Sequence, residues 1–116
     1  MQQLYPKIDA CDVLIFATPI YWFGPTAKTK LLVDRLRPYF GNKRLSGKWG
    51  ALLLPAGSGP VDCELTVEQF RRTFTSLEIR FLGAVTTTAF NVGDADKDIY
   101  LDSAIQQLVE RIEEDE

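Results

Sequence analysis

The stretch Asp12-Val-Leu-Ile-Phe-Ala-Thr-Pro-Ile-Tyr-Trp-Phe-Gly-Pro25 decides how the rest of the chain is read. From Asp12 to Thr18 both alternating sets are apolar, Val13, Ile15 and Ala17 against Leu14 and Phe16, so a strand here is buried on both faces. Strands of that kind belong to parallel sheets covered by helices. Two further runs have the same character, Trp49-Gly-Ala-Leu-Leu-Leu-Pro55 and Arg80-Phe-Leu-Gly-Ala-Val-Thr86. Between and after them the apolar spacing changes to that of helices. Pro25 suits a first helical turn, with Leu32, Val33, Leu36 and Phe40 on one side before Pro38 and Gly41 end the helix. Asp62 reads as the N-cap of a second helix whose stripe is Cys63, Val67, Phe70, Phe74 and Leu77. A last helix, from about Asp98, buries Leu101, Ile105, Leu108, Val109 and Ile112, and its end from Glu113 to Glu116 opposes the helix dipole and frays.

Composition bounds the function. At 116 residues, 46% hydrophobic and 25% charged, the chain is one globular domain with no repeat or linker. The apolar run Val13 to Ala17 is far shorter than the roughly 18 residues that span a bilayer. Met1 leads into Gln-Gln-Leu-Tyr-Pro without the basic and apolar stretches of a secretory leader, and the expectation is a cytoplasmic protein without membrane partners. There is no histidine, and the cysteines are Cys11 and Cys63 alone. Ser-His-Asp and Cys-His catalysis, C-x-x-C redox chemistry and an ordinary zinc site are thereby excluded. A net charge of -3 argues against nucleic acid as a partner, since phosphate contacts need a basic surface. Charge is uneven: residues 28–48 hold seven basic side chains against Asp34, and residues 94–116 hold nine acids against Lys97 and Arg111. Solvated helix faces explain this, as does attraction of an anionic cofactor.

Connectivity raises a question of coverage. Right-handed crossovers between three adjacent parallel strands put both connecting helices on one face of the sheet. Only the last helix and the segment Gln2 to Ala10 then remain for the other face. The first strand is left as an open edge despite being apolar on both faces, a hazard for mispairing, and the expectation is a homo-oligomer that covers it.

Ligands of open α/β sheets bind at the carboxyl ends of the strands. The loop after the first strand, Thr18, Pro19, Ile20, Tyr21, Trp22 and Phe23 up to Gly24, offers three successive aromatics on which a planar ring could stack. It could equally pack on its neighbouring helix. After the second strand, Gly57, Ser58 and Gly59 allow backbone N–H groups to converge on an acceptor, or form a plain turn. The third loop, Thr86-Thr-Thr-Ala-Phe-Asn91, adds hydroxyls. Cys63 reads as a small core residue rather than a reactive thiol.

The run from Asp12 to Trp22, with Lys30-Leu-Leu-Val-Asp-Arg-Leu36 after it, resembles the third strand and following helix of the NAD(P)H-dependent FMN reductase family. Leu45-Ser-Gly-Lys48 before the second strand continues the same order. That family includes iron-sulfur flavoprotein-like members. The resemblance implies a flavodoxin-like three-layer parallel α/β sheet, here truncated to about three strands with flanking helices. It implies FMN as cofactor and NAD(P)H as co-substrate, with hydride passing from the nicotinamide to the flavin and onward to an acceptor. The isoalloxazine would lie against Thr18, Pro19, Ile20, Tyr21, Trp22 and Phe23, with Gly57, Ser58 and Gly59 closing the other side. No residue is singled out as catalytic and none as a metal ligand. The family's first strand and phosphate-binding loop fall upstream of the position matched by Met1, so the resemblance is to the C-terminal portion, and a weak or incomplete FMN site is expected. The competing reading is a flavin-free interaction module that dimerises through the open strand.

Overall fold

The computed structural model describes residues 1–89, 91 and 93–115, the last by its backbone alone. The strands are β1 (Val13–Ala17), β2 (Ile20–Tyr21), β3 (Gly24–Pro25), β4 (Trp49–Ala56) and β5 (Arg80–Thr88). The helices are α1 (Tyr5–Ala10), α2 (Ala27–Asp34), α3 (Glu64–Ser76) and α4 (Leu101–Asp115). β1, β4 and β5 form one parallel sheet in that order, with Ile15 beside Ala51 and Leu52 beside Ala84. β2 and β3 form a separate antiparallel hairpin.

The side chains of the sheet sort by alternation. Phe16, Leu52 and Leu54 face α3, where Phe16, Phe70, Phe74 and Phe81 stack with ring centroids 5.2 to 6.1 Å apart. Ala51, Leu82 and Val85 face the opposite way, onto Leu108 of α4. The expected three layers are therefore present, and Cys63 is buried in the core as read.

Several boundaries differ from expectation, each for a physical reason. Pro25 is not in the first turn of a helix but in β3, and α2 begins at Ala27, because Thr26 takes the N-cap and its Oγ1 accepts from the Thr29 amide at 3.2 Å. Asp62 is not an N-cap: it lies in a 3-10 turn, Pro60–Cys63, that leads into α3 without a side-chain cap. Thr86, Thr87 and Thr88 prolong β5 instead of starting a loop, since β4 offers partners as far as Ala56. The last helix starts at Leu101, not Asp98, and of its expected buried stripe Leu108 is buried while Ile105 and Val109 are exposed. Phe40 is exposed, because the turn Arg37–Tyr39 rotates Tyr39 into the core in its place.

The segment Gln2 to Ala10 does not cover the second face. Its helix α1 puts Ile8 into the same cluster as α3. The Lys48 ammonium fixes it there by donating to the carbonyls of Asp9, at 3.0 Å, and Cys11, while Arg44 pairs with Asp9 at 2.8 Å. Beside that pair the Tyr39 hydroxyl donates to Tyr5 O at 3.3 Å, and burial together with the Asp9 carboxylate pushes its pKa up to about 12. Among the described residues α4 is the helix that shields the other face.

Gly50 marks the tightest contact between sheet and helix. A Cβ there would lie 2.9 Å from two ring carbons of Phe74 and 3.0 Å from Ile79 Cγ2, at a buried position. Gly50→Ala is expected to cost about 1–3 kcal/mol through overpacking, seen as a lower urea midpoint with an unchanged denaturant slope.

Candidate functional site

Parallel pairing brings the carboxyl ends of β1, β4 and β5 to one end of the sheet, and the loops that leave them meet there. The first is built around the β2–β3 hairpin. Its pairs are Ile20 with Pro25 and Tyr21 with Gly24, so Trp22 and Phe23 are the two turn residues. Both have positive φ, 51° and 67°. A two-residue hairpin with both central residues in that region is a type I′ turn, which normally selects Asn and Gly. Aromatic residues there are strained, at roughly 1–2 kcal/mol each. The outcome is display: Trp22 is 94% exposed, Tyr21 64% and Phe23 52%.

Thr18 holds the base of this loop. Its side chain is buried, its Oγ1 donates to Pro19 O at 2.9 Å and accepts from the Thr26 amide at 3.2 Å, closing the chain across both ends of the hairpin. The tip is held from α3, where the buried Thr66 Oγ1 donates to Phe23 O at 3.2 Å. Pro19 is exposed and Ile20 half-buried against the α3-side core.

The second loop is a tight turn. The Gly59 amide donates to Ala56 O at 3.2 Å, leaving Gly57 and Ser58 exposed at its tip. Gly59 has a φ of 91°, and a Cβ on it would come within 2.8 Å of Thr88 Oγ1, so glycine is required on both counts. Beyond β5, Phe90 lies outside the described residues. Thr87 Oγ1 donates to Asp98 Oδ2 at 2.6 Å, and the Tyr100 amide donates to Oδ1 at 2.9 Å. The Thr87 bond first, then the amides, lower the Asp98 pKa. The stabilisation from this carboxylate is present above the ordinary aspartate range and is lost as pH falls through its lowered pKa. The hydroxyl of Thr87 thus serves the entry to α4.

Several hollows open among the described residues, one of them, about 430 Å³, beyond the end of β5 among Thr88, Asp94, Lys97, Asp98 and Tyr100. Another of about 350 Å³, almost wholly apolar, lies at the strand ends on the α4 side among Thr18, Leu53, Pro55, Val85, Leu101 and Ile105. A larger one, about 480 Å³, lies between α2 and α3 where Leu36, Arg37, Phe40, Arg72 and Leu77 meet, away from the three loops. Its arginines are engaged, Arg72 with Glu68 and Arg37 over the Phe40 ring, so the aromatic end of the sheet carries the better case for ligand chemistry. Among the described residues no group of His, Cys, Asp or Glu could hold a metal ion.

Of the residues expected from sequence, Tyr21, Trp22, Phe23, Gly57 and Ser58 lie exposed at this end, whereas Thr18 and Gly59 are buried within the loops they shape. Thr66 was not legible, since a threonine on a helix carries no mark of a partner 43 residues away.

A parallel sheet between helix layers, with its loops gathered at the strand ends, is the flavodoxin-like α/β class, and solved structures agree. A Trp repressor binding protein from Bacillus subtilis superposes with a TM-score of 0.85 at 29% identity, covering 92% of this chain and 70% of that one. A flavodoxin, WrbA-like protein from Agrobacterium tumefaciens shares the fold with a TM-score of 0.67 at 18% identity, covering 92% of this chain and 74% of that one. The chain belongs to the NADPH-dependent FMN reductase family, whose model matches residues 1–95. It is 34% identical over 113 residues to a putative NAD(P)H-dependent FMN-containing oxidoreductase of Bacillus subtilis, covering 90% of this chain and 62% of that relative. It is also 35% identical over 60 residues, 51% of this chain and 27% of the relative, to an iron-sulfur flavoprotein of Archaeoglobus fulgidus. The chain therefore spans less than two-thirds of these relatives' length.

The strained turn gives a direct test. Trp22→Asn places a residue suited to positive φ at an almost fully exposed site, and is expected to stabilise the fold by about 0.5–1 kcal/mol, raising the melting temperature by roughly 2–4 °C. Calorimetry of the two proteins checks this.

Proposed function

We propose that the chain is the flavin-ring-binding module of an NAD(P)H-dependent FMN oxidoreductase, operating where reduced nicotinamide is available, in the cytoplasm. The observation that carries the reading is the exposed aromatic hairpin at the carboxyl end of a parallel sheet, in a chain of the FMN reductase family.

The residues present fit one part of FMN better than the other. Tyr21, Trp22 and Phe23 supply flat apolar surface for an isoalloxazine, and the turn at Gly57 and Ser58 approaches from the neighbouring strand. Residues 18–26 and 55–62 contain neither Lys nor Arg, and the Gly59 amide is spent within its turn, so these loops offer no charged clamp for a phosphate. When bound, the flavin supplies hydride transfer between a nicotinamide and an acceptor. The protein's part is positioning: Tyr21, Trp22 and Phe23 would hold the ring and exclude water from it, and backbone N–H groups of the hairpin would be available to its polar atoms. With no histidine in the chain, no imidazole is available at this site as a general acid or base.

A phosphate clamp contributes roughly 1.5–3 kcal/mol for each charge-assisted hydrogen bond. FMN and riboflavin are accordingly expected to bind with similar, weak affinity, and purified protein to be colourless. Tyr21→Ala and Trp22→Ala are expected to weaken both flavins while melting near the parent temperature, whereas Phe70→Ala, in the core, loses about 3–5 kcal/mol of stability. A strong preference for FMN over riboflavin in titration overturns the ring-only site.

Homo-oligomerisation is part of the same proposal. Among the described residues β1 pairs only with β4, its Ile15 is 50% exposed, and Ile105 and Val109 of α4, the helix on the other face, are apolar and exposed as well. A two-fold contact would cover this apolar strip with the same strip of a second copy. Sedimentation at dilute concentration is expected to show a dimer or larger species, and a monomer with a cooperative melt overturns it.

A further inference from the structure

The aromatic hairpin poses a problem of its own. Two consecutive non-glycine residues with positive φ persist only where surrounding contacts over-determine them. β2 and β3 contribute two residue pairs, which is too short a ladder to be stable by itself. Trp22 makes almost no contact, being 94% exposed, so its own side chain does not hold the turn. Thr18 ties the base together but lies four residues before Trp22.

At the tip the restraint comes from α3. Thr66 sits in the first turns of that helix, fully buried, and its hydroxyl donates to the carbonyl of Phe23 at 3.2 Å. A threonine inside a helix ordinarily turns its hydroxyl back on the carbonyl four residues earlier. Here the proton goes to the second residue of the strained turn instead. The bond fixes the plane of the Phe23–Gly24 peptide, and with it the direction in which the Trp22 and Phe23 rings leave the backbone. It also anchors the hairpin to the helix that carries the buried Phe70 and Phe74.

We propose that Thr66 is a positioning residue for flavin-ring binding, its hydroxyl holding the Trp22–Phe23 turn in the left-handed conformation that presents the aromatic surface. This rests on the reading of the hairpin as a flavin-ring site. Without the bond, the turn relaxes toward negative φ, the rings swing away from their presented direction, and a planar ligand must re-form the turn at its own cost.

The test compares the unmodified chain with Thr66→Val, which keeps the buried volume and removes the donor, and Thr66→Ser, which keeps the donor. Riboflavin, the ring without the phosphate, is titrated by quenching of its fluorescence. Amide exchange by NMR at Tyr21 and Gly24 reports the hairpin, with Leu52 and Leu82 as controls for the global fold. In Thr66→Val, exchange is expected to quicken at Tyr21 and Gly24 but not at Leu52 or Leu82, and riboflavin to bind about two- to tenfold more weakly, the range of one lost hydrogen bond. Thr66→Ser is expected to restore both. Unchanged exchange at Tyr21 and Gly24 in Thr66→Val overturns the proposal. So does quickened exchange with undiminished riboflavin binding, or a serine variant that behaves like valine. If the unmodified chain itself fails to bind riboflavin, the flavin reading falls, and the exchange data separately decide whether Thr66 holds the turn.

Discussion

Everything in this molecule hangs on β4. Among the described residues it is the one strand hydrogen-bonded on both edges, and residues Gly50 to Leu52, Leu54 and Ala56 are buried. Because both neighbours run parallel to it, each connection must cross over a face of the sheet, and every strand must deliver its following loop to the same end. The hairpin after β1, the Gly57–Gly59 turn after β4 and the Thr88 region after β5 are neighbours for that reason. Close packing reinforces the arrangement. Gly50 leaves room for Phe74, and Phe74 stacks in turn on Phe16, Phe70 and Phe81, so register in the sheet and seating of α3 are one constraint.

The strands are legible in the sequence because their apolar runs have no competing interpretation. The run Val13 to Ala17, apolar at every position, reads as a parallel strand and is one, but its expected burial on both faces fails: Phe16 is buried while Ile15 and Ala17 are exposed on an edge strand. The stripe Cys63, Phe70, Phe74 and Leu77 reads as a helix packed on the sheet and is buried as such. Expectation and structure part where two local signals conflict. Gly24-Pro25 looks like the start of a helix, yet the chain first folds back on itself, and the signal for that hairpin is hidden because its turn is occupied by Trp-Phe where Asn-Gly would announce it. Asp62 looks like an N-cap, but Pro60 inserts a 3-10 turn ahead of the helix. α1 lies on the opposite face from the one expected because its position depends on Lys48 and Arg44, which reach back to Asp9 from more than thirty residues later. Neither period nor propensity records such a contact.

At the candidate site, sequence reveals the exposed chemistry and conceals its support. Three adjacent aromatics after a buried strand are conspicuous, and they are indeed displayed at the sheet's end. Thr18 and Thr66 are ordinary letters in the sequence, yet their hydroxyls close the base and fix the tip of the hairpin. Exposure of large rings at strained backbone positions is unfavourable for folding alone, and natural proteins tolerate such local conflicts chiefly where function requires them.

The two faces of the sheet are unequal in cohesion. One is bound by a stack of four phenylalanines and by two helices beside α3, whereas the other depends on α4 alone, whose one buried large side chain among its described residues is Leu108. Proteins open in cooperative units whose free energies follow how much apolar surface each unit secures. By that measure α4 forms a separate, shallower unit at the end of the chain. Its release would bare Ala51, Leu82 and Val85 and leave the phenylalanine side intact, so the domain has a preferred direction of unravelling, from the α4 face inward, with the phenylalanine stack and α3 among the last parts to let go.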